Sequence, residues 1–562
     1  MSNRTLAVAL VLMLALPVLV AAQQTGPGID LRFGDWHNNA PRQTHGSLVE
    51  RDILTQGDSM DPPRKGALLE TDVNSLTYAT QAPGASTTPT RLTRQQEIYY
   101  FLSGNGKMAA GGKTADLYKN IAILMPADLE FVMTNTGSEP LTMYLINEPT
   151  PADFKPIHNM LVKDENSLPI IPTAALRGPL GDGHWSHIAK MLFGKSDGLA
   201  SIGLLLTVAL DPLTIGEPHA HRAGMGSHET WTAIEGTSLA LMGTELRVMT
   251  PGMAYMPRPD GQMEHANINY GNDQVKFLYL GVSLKRQGAS TEVKVPPPAY
   301  ALGNPPHDTS VDMFFGDWHD STPRLTHGGI VARDILTRGE NFAPPQIGAV
   351  LEQANSFSYA TLASRASIPP TKLVDQQEVF YILSGSGKMI TGGETVDLHK
   401  GIATLMPAGL EFIMKNTSDE ALSMYIINEP IPEGFKPNTK MLVRDESKLP
   451  FLPPAHWHHL VKVLFVPADG LGTMRAVLTV ALDPLTMGEP HPHRMGHEEI
   501  WGAIDGTSLA FVGTQLRLQP PGTAYMLRPD GATTHANINA GDSRVTFLYF
   551  SCITDDPRVA HY

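Results

Sequence analysis

The chain opens on an apolar run from Leu6 to Ala22, after Arg4 and broken only by Pro17 near its end. Beyond it, hydrophobic residues come in short bursts rather than long periodic stretches. Ile98 to Leu102 and Phe547 to Phe550 are aromatic or β-branched, and glycine or proline bounds such runs. That pattern predicts strands separated by turns. Only Trp185 to Phe193 and Trp457 to Phe465 carry apolar residues at helical spacing, and both are predicted as short amphipathic helices. The expected fold class is therefore all-β.

The pattern is also written twice. Gly34-Asp35-Trp36-His37 returns as Gly316-Asp317-Trp318-His319, an offset of 282, and Arg51 to Leu54 returns at Arg333 to Leu336. Thr207 to His219 returns as Thr479 to His491 with one change in thirteen residues. Each copy holds a weaker internal echo: Glu97 and Glu229 are both followed by a glycine seven residues on, as are Glu378 and Glu499. Four units in the order A1, B1, A2, B2 follow. They are placed at 30–155, 184–285, 312–436 and 456–553, with a proline-rich linker over 286–311.

Composition narrows the function. The 562 residues include 96 Gly plus Pro and only 17% charged residues, a mix that suits turn-rich β domains. A net charge of −14 without a basic stripe argues against nucleic acid or an anionic bilayer as partner. The single cysteine, Cys552, rules out an intrachain disulfide and a thiolate zinc site. Arg4, the apolar run and Val20-Ala21-Ala22 form a secretory signal pattern over residues 1–22, so a periplasmic or extracellular protein is expected. The same run just reaches the length of a membrane span.

Candidate chemistry lies in the B units. His219-Ala220-His221 falls in a strand-like segment, where alternation puts both imidazoles on one face, within reach of a single ion. Glu229 follows a glycine-rich stretch and His265 arrives on a later strand; the second copy supplies His491, His493, Glu499 and His535. Three imidazoles and a carboxylate make a site for a divalent transition metal, one per B unit, with positions left for a small molecule. Arg222, Arg258, Arg494 and Arg528 flank these residues and suit either an anionic substrate or surface ion pairs. Asp260, Asp530, Tyr255 and Tyr525 have turn and core roles as well as potential proton-transfer ones.

The two stretches GEPHAHRAGMGSHETWTAIEG with PGMAYMPRPDGQMEHANIN, and GEPHPHRMGHEEIWGAIDG with PGTAYMLRPDGATTHANIN, resemble the two motifs of the cupin superfamily. Fifteen residues separate the motifs in both copies, Thr237 to Pro251 and Thr507 to Pro521. One departure is the spacing between the HxH pair and the glutamate: seven residues separate His221 from Glu229 and five separate His493 from Glu499, against three or four in the family. His228 and Glu498 thus compete for the ligand role. The resemblance implies four jelly-roll barrels arranged as two bicupins. It also implies manganese or iron, with zinc, nickel or copper as alternatives. Among bicupins the likeness is to oxalate decarboxylases, germin-type oxidases and gentisate- or quercetin-type dioxygenases. The expected function is an oxidoreductase acting on a small anionic substrate, as a monomer or homo-oligomer. A non-redox isomerase or lyase, and a binding or storage cupin without catalysis, are the other readings.

The A units keep the frame but not the ligands: TRLTRQQE and TKLVDQQE replace the first motif's histidines, and Phe131 and Phe412 replace the second's. They are expected to be metal-free, with Glu97 and Glu378 facing solvent or paired with Arg94 or another cation. His37, His45, His184 and His187, with their counterparts in the second copy, are expected either to dock the N-terminal arms onto a barrel or to form a second ligand cluster or a substrate lip.

Overall fold

A computed structural model describes residues 28–171, 185–220, 227–283, 311–453 and 456–553. The leader, His184, His221, Arg222 and most of the linker lie outside the described residues. Within them, all regular structure is β-strand or short 3₁₀ turn.

In the first copy the A unit has a large sheet, with strands in the order 161–164, 121–125, 95–103, 141–149, 75–81, 48–56 and 42–44. Facing it is a four-stranded sheet of 90–91, 130–135, 106–110 and 113–117. One core lies between the two, with Leu48, Phe101, Ile123 and Met143 from the large sheet and Met108, Leu117 and Phe131 from the small one. The B unit repeats the plan. Its large sheet runs 33–35, 253–255, 227–235, 275–283, 202–210, 188–194, and its small sheet 214–215, 265–269, 238–242, 245–249. The second copy follows the same order throughout.

The central strands of the large sheets are apolar on both faces, as in Ile98 to Phe101, because both faces are covered. The second face packs A against B: Ile98, Tyr100, Leu124 and Ile146 meet Leu205, Leu278 and Leu280 in a single cluster. Tyr144 pins this junction, donating to the Ala233 carbonyl at 2.6 Å and accepting from the Gly252 amide at 3.0 Å. The N-terminal arm crosses it too, since Phe33 pairs with Tyr255 in the B unit's sheet. Trp36 follows, stacked on Tyr78 at 4.3 Å. Gly252, at φ 96°, admits the indole: a Cβ there would lie 2.2 Å from Trp36 Nε1. This docks the GDWH segment, and His37 stays exposed on Asp35.

The predicted helices are strands. Ile188–Gly194 pairs with Ile202–Leu210, and Leu460–Phe465 with Met474–Leu482. Each contains a bulge, between Met191 and Phe193 and between Val463 and Phe465. The extra residue breaks the alternation, so Ala189, Leu192 and Phe193 are buried at intervals that mimic a helix.

The two copies meet through the small sheets of B1 and B2. Thr214 pairs with Gln515 and Glu245 with Thr486, closing eight strands into one barrel. Ile215, Leu241, Ile268, Met487, Phe511 and Ile538 fill it.

Candidate metal centre

In each B unit the first-motif histidine and the second-motif histidine lie opposite one another, as backbone partners: His219 with His265, and His491 with His535. The glutamate comes from the adjoining face of the large sheet, on Ser227–Glu235 or His497–Asp505. Two sheets therefore close on one spot.

B2 shows the full set. His491 Nε2 lies 3.1 Å from His493 Nε2. Glu499 Oε2 is 2.9 Å from His493 Nε2 and 3.2 Å from His535 Nε2. The far nitrogens are tied back: His491 Nδ1 to the Glu489 carbonyl at 2.7 Å, and His535 Nδ1 to the His491 carbonyl at 3.0 Å. Those bonds place the N–H on Nδ1 and the lone pair on Nε2, the tautomer a metal requires. In B1, His219, Glu229 and His265 offer ligand atoms within 4.8 Å of one another, with His265 Nε2 3.1 Å from Glu229 Oε2 and His219 Nδ1 2.8 Å from the Glu217 carbonyl. His221, the fourth ligand expected there, is outside the described residues.

The glutamates are supported from behind. Tyr549 donates to Glu499 Oε1 at 2.5 Å and Tyr279 to Glu229 Oε1 at 2.6 Å, and Trp501 and Trp231 donate to the other oxygen at 3.4 Å. Burial, then the charge of the glutamate, pushes both tyrosines well above the usual phenol range, so they remain donors. His491 is pushed down to about 2 by burial and then by His535 and His493, and burial likewise lowers His535. For Glu499, burial works toward protonation, but His493 and His535 overcome it and hold the carboxylate well below its usual range. A lowered His491 and His535 beside an ionised Glu499 match the forms in which imidazole and carboxylate ligate.

His228 and Glu498 do not compete for the site. Alternation turns them to the opposite face, where His228 Nε2 sits 3.3 Å from Ser59 Oγ and Glu498 accepts from Asn341 at 2.8 Å in the junction with the A unit. Sequence reasoning overlooked His497. It shares the Glu499 face by the same period of two, its ring is 4.7 Å from that of His493, and with His493 and Glu499 it forms a second set of ligand atoms within 4.8 Å. Ser227 stands at this position in B1. His456 stacks on His491 at 4.6 Å, while His187 and His459 are buried against Trp231 and Trp501. Of the arginines, Arg258 lies 3.5 Å from Asp260, Arg528 donates to the Phe342 carbonyl, and Arg494 is exposed. Tyr255 and Tyr525 are core residues donating to Asn267 and Asn537 at 3.1 Å, and Asp260 and Asp530 cap turns.

The A units correct one expectation. Glu97 and Glu378 do not face solvent; they are 3% and 4% exposed. Their partner is an imidazole from the N-terminal arm, with His45 Nε2 3.2 Å from Glu97 and His327 Nε2 2.8 Å from Glu378. Asn147 and Asn428 donate to the second oxygens at 3.1 and 2.9 Å. Burial alone would lower His45, but the hydrogen bond and charge of Glu97, with Glu50, raise it. Both imidazoles lie about 6 Å from the phenyl rings of Phe131 and Phe412, which stand where the second-motif histidine would be.

Residues 77–147 and 358–428 match the cupin domain family, so both matches fall in the A units. No curated protein matches the chain. Solved structures similar to it include Bacillus subtilis oxalate decarboxylase, a protein with Mn(II) centres, at 14% identity and a TM-score of 0.33 over 43% of this chain and 78% of that one. AerE from Microcystis aeruginosa is 12% identical with a TM-score of 0.33, over 45% of this chain and 99% of that one. A glyoxylate-induced protein of Pseudomonas aeruginosa is 14% identical with a TM-score of 0.33, over 45% and 95%. This chain carries two cupin domains, one at the same place in each of its copies.

Proposed function

We propose that the protein is an exported bicupin enzyme of four jelly-roll barrels, holding one divalent transition metal in each B unit and acting as an oxidoreductase on a small anionic substrate. The observation that carries this reading is the B2 cluster, where three Nε2 atoms and a carboxylate oxygen converge while carbonyls hold the distal nitrogens of His491 and His535. His219, His221, Glu229 and His265 would hold the ion in B1, and His491, His493, Glu499 and His535 in B2. Nitrogen-rich ligands with one carboxylate suit manganese or iron, which when bound supply an electrophilic and redox-active centre. A divalent ion with one carboxylate keeps a net positive charge, which favours an anion. The protein's own part is to orient His491 and His535 through the carbonyls on their Nδ1 atoms, to fix the carboxylate with Tyr549 or Tyr279, and to line the site with Trp501 or Trp231.

Metal content tests the reading first. The purified protein is expected to hold two equivalents per chain, and His265→Ala with His535→Ala to hold none. Oxygen uptake with iron- and manganese-loaded protein, against small carboxylates and catechols, tests the chemistry. Turnover that proceeds unchanged without oxygen would exclude the dioxygenase form, and activity surviving the double substitution would exclude metal catalysis. Export is tested by sequencing the N-terminus of the secreted protein, expected at Gln23.

A further inference from the structure

The mouth of the A2 barrel holds a cavity of about 260 Å³. It is lined by Arg324, Thr326, His327, Gln376, Glu378 and Asn428, among others, and Ile426 is its one apolar lining residue. Two charged groups face it, and each is already paired. Arg324 forms a two-pronged bond to Asp334, at 2.9 and 2.8 Å, and Glu378 is held by His327. The remaining capacity is that of amides and hydroxyls. Asn428 uses one amide hydrogen on Glu378 and accepts from Asn355 at 2.7 Å, which leaves a donor and a lone pair. A charged ligand here would lose water without gaining a counter-ion, whereas hydroxyl groups would meet donors and acceptors at close spacing. The volume lies below the range of drug-sized sites, so the occupant is small.

The two copies differ at this place. In A1 the carboxylate of Glu50 reaches in among the counterparts of the A2 lining: it accepts from Arg42 at 2.7 Å and from Thr44, and lies 3.8 Å from His45 Nδ1. The corresponding residue in A2 is Ala332, fully buried and without a polar group to contribute. Loss of that side chain leaves Thr326 to His327 Nδ1, at 3.1 Å, and clears the space.

We infer that the A2 barrel is a second ligand site, separate from the metal centres, that takes a small uncharged polyol or monosaccharide in the pocket between His327, Glu378, Gln376 and Asn428. The site goes beyond the metal-dependent reading and does not depend on it.

The test is calorimetry and saturation-transfer NMR on the full-length mature chain, with D-glucose, D-xylose and myo-inositol as neutral probes and acetate and oxalate as anionic ones. At least one neutral probe is expected to bind saturably at one equivalent per chain, equally in wild type and in the His265→Ala, His535→Ala double variant. Ala332→Glu restores the A1 side chain among residues that already accommodate it there, and is expected to abolish that binding. Gln376→Leu, at the rim, is expected to weaken it about tenfold, the value of one hydrogen bond to a buried group, and serves if Ala332→Glu does not fold. Failure of all neutral probes, binding of the anions alone, or affinity unchanged in both A2 variants would each overturn the assignment.

Discussion

Replacing Tyr549 by Phe removes one oxygen atom from behind the proposed B2 centre and should weaken metal binding there without disturbing the surrounding sheets. The hydroxyl donates to Glu499 Oε1 at 2.5 Å, and the carboxylate it serves is buried. Hydrogen bonds to charged groups contribute about 1.5–3 kcal/mol, and a buried acceptor left without its donor costs a similar amount. Loss of partners behind metal ligands typically lowers affinity about 10- to 100-fold, or roughly 1.4–2.7 kcal/mol, in agreement with the value of the bond. The phenol stays protonated, so the loss should be the same across neutral and mildly alkaline pH. Competition with a chromophoric chelator gives the affinity of each site, and urea unfolding of metal-free protein gives the stability. Tyr99→Phe provides the contrast, because Tyr99 donates to Glu97 at 2.5 Å in a barrel where the described residues form no ligand cluster. It should cost stability and leave metal affinity untouched. If Tyr549→Phe unfolds earlier but holds metal as tightly as wild type, or if Tyr99→Phe loosens the metal equally, the tyrosine is a packing element and the reasoning fails.

Acid should destabilise the metal-free protein. His459, His491 and His497 are pushed down to about 3, 2 and 4, chiefly by burial, from 6.5 in the unfolded chain. The folded state therefore binds fewer protons, so their contribution is intact above pH 6.5 and shrinks as pH falls toward the folded values. Glu498, pushed up to about 7 by burial, acts in the opposite sense over this range, so the test is a difference. By pH 5 the 5%-exposed His459 alone should account for about 2 kcal/mol, and a loss of urea stability between pH 7 and 5 as large in His459→Gln as in wild type would contradict this. At the A2–B2 junction, a Cβ on Gly502 would lie 2.6 Å from the Phe357 ring, whereas the first copy has Thr232 and Leu76 at these places. Gly502→Thr should cost about 1–3 kcal/mol by overpacking, and Phe357→Leu should recover most of it; additive effects in a double-mutant cycle would disprove the contact.

The clustering of His491, His493, Glu499 and His535, and of His219, Glu229 and His265, was legible because the patterns are short-range, an HxH pair and a histidine following a Pro-Asp-Gly turn, each written twice. His219 and His491 nevertheless lie outside the strands, each joined to the second-motif histidine by an isolated bridge. His497 was legible in principle by the same alternation that selects Glu499 over Glu498. The partner of Glu97 was not, since His45 arrives from the N-terminal arm through a pairing that no local pattern encodes. The bulged strands Ile188–Gly194 and Leu460–Phe465 misled for a different reason, their irregular register reproducing helical spacing. The joining of B1 to B2 rests on two-residue strands, Thr214–Ile215 and Thr486–Met487, too short to carry any periodicity.

The shared ring of eight strands has an evolutionary consequence. Identical chains meeting about a twofold axis must accept every substitution in both halves at once, so neither half can change its chemistry alone. Here Thr214 meets Gln515 and Glu245 meets Thr486, equivalent contacts encoded by separate stretches of one gene. Mutation is thereby released from symmetry while the contact persists. Ser227 against His497, Glu50 against Ala332, and Leu76 with Thr232 against Phe357 with Gly502 show that the halves differ at these places, each free to change without its counterpart.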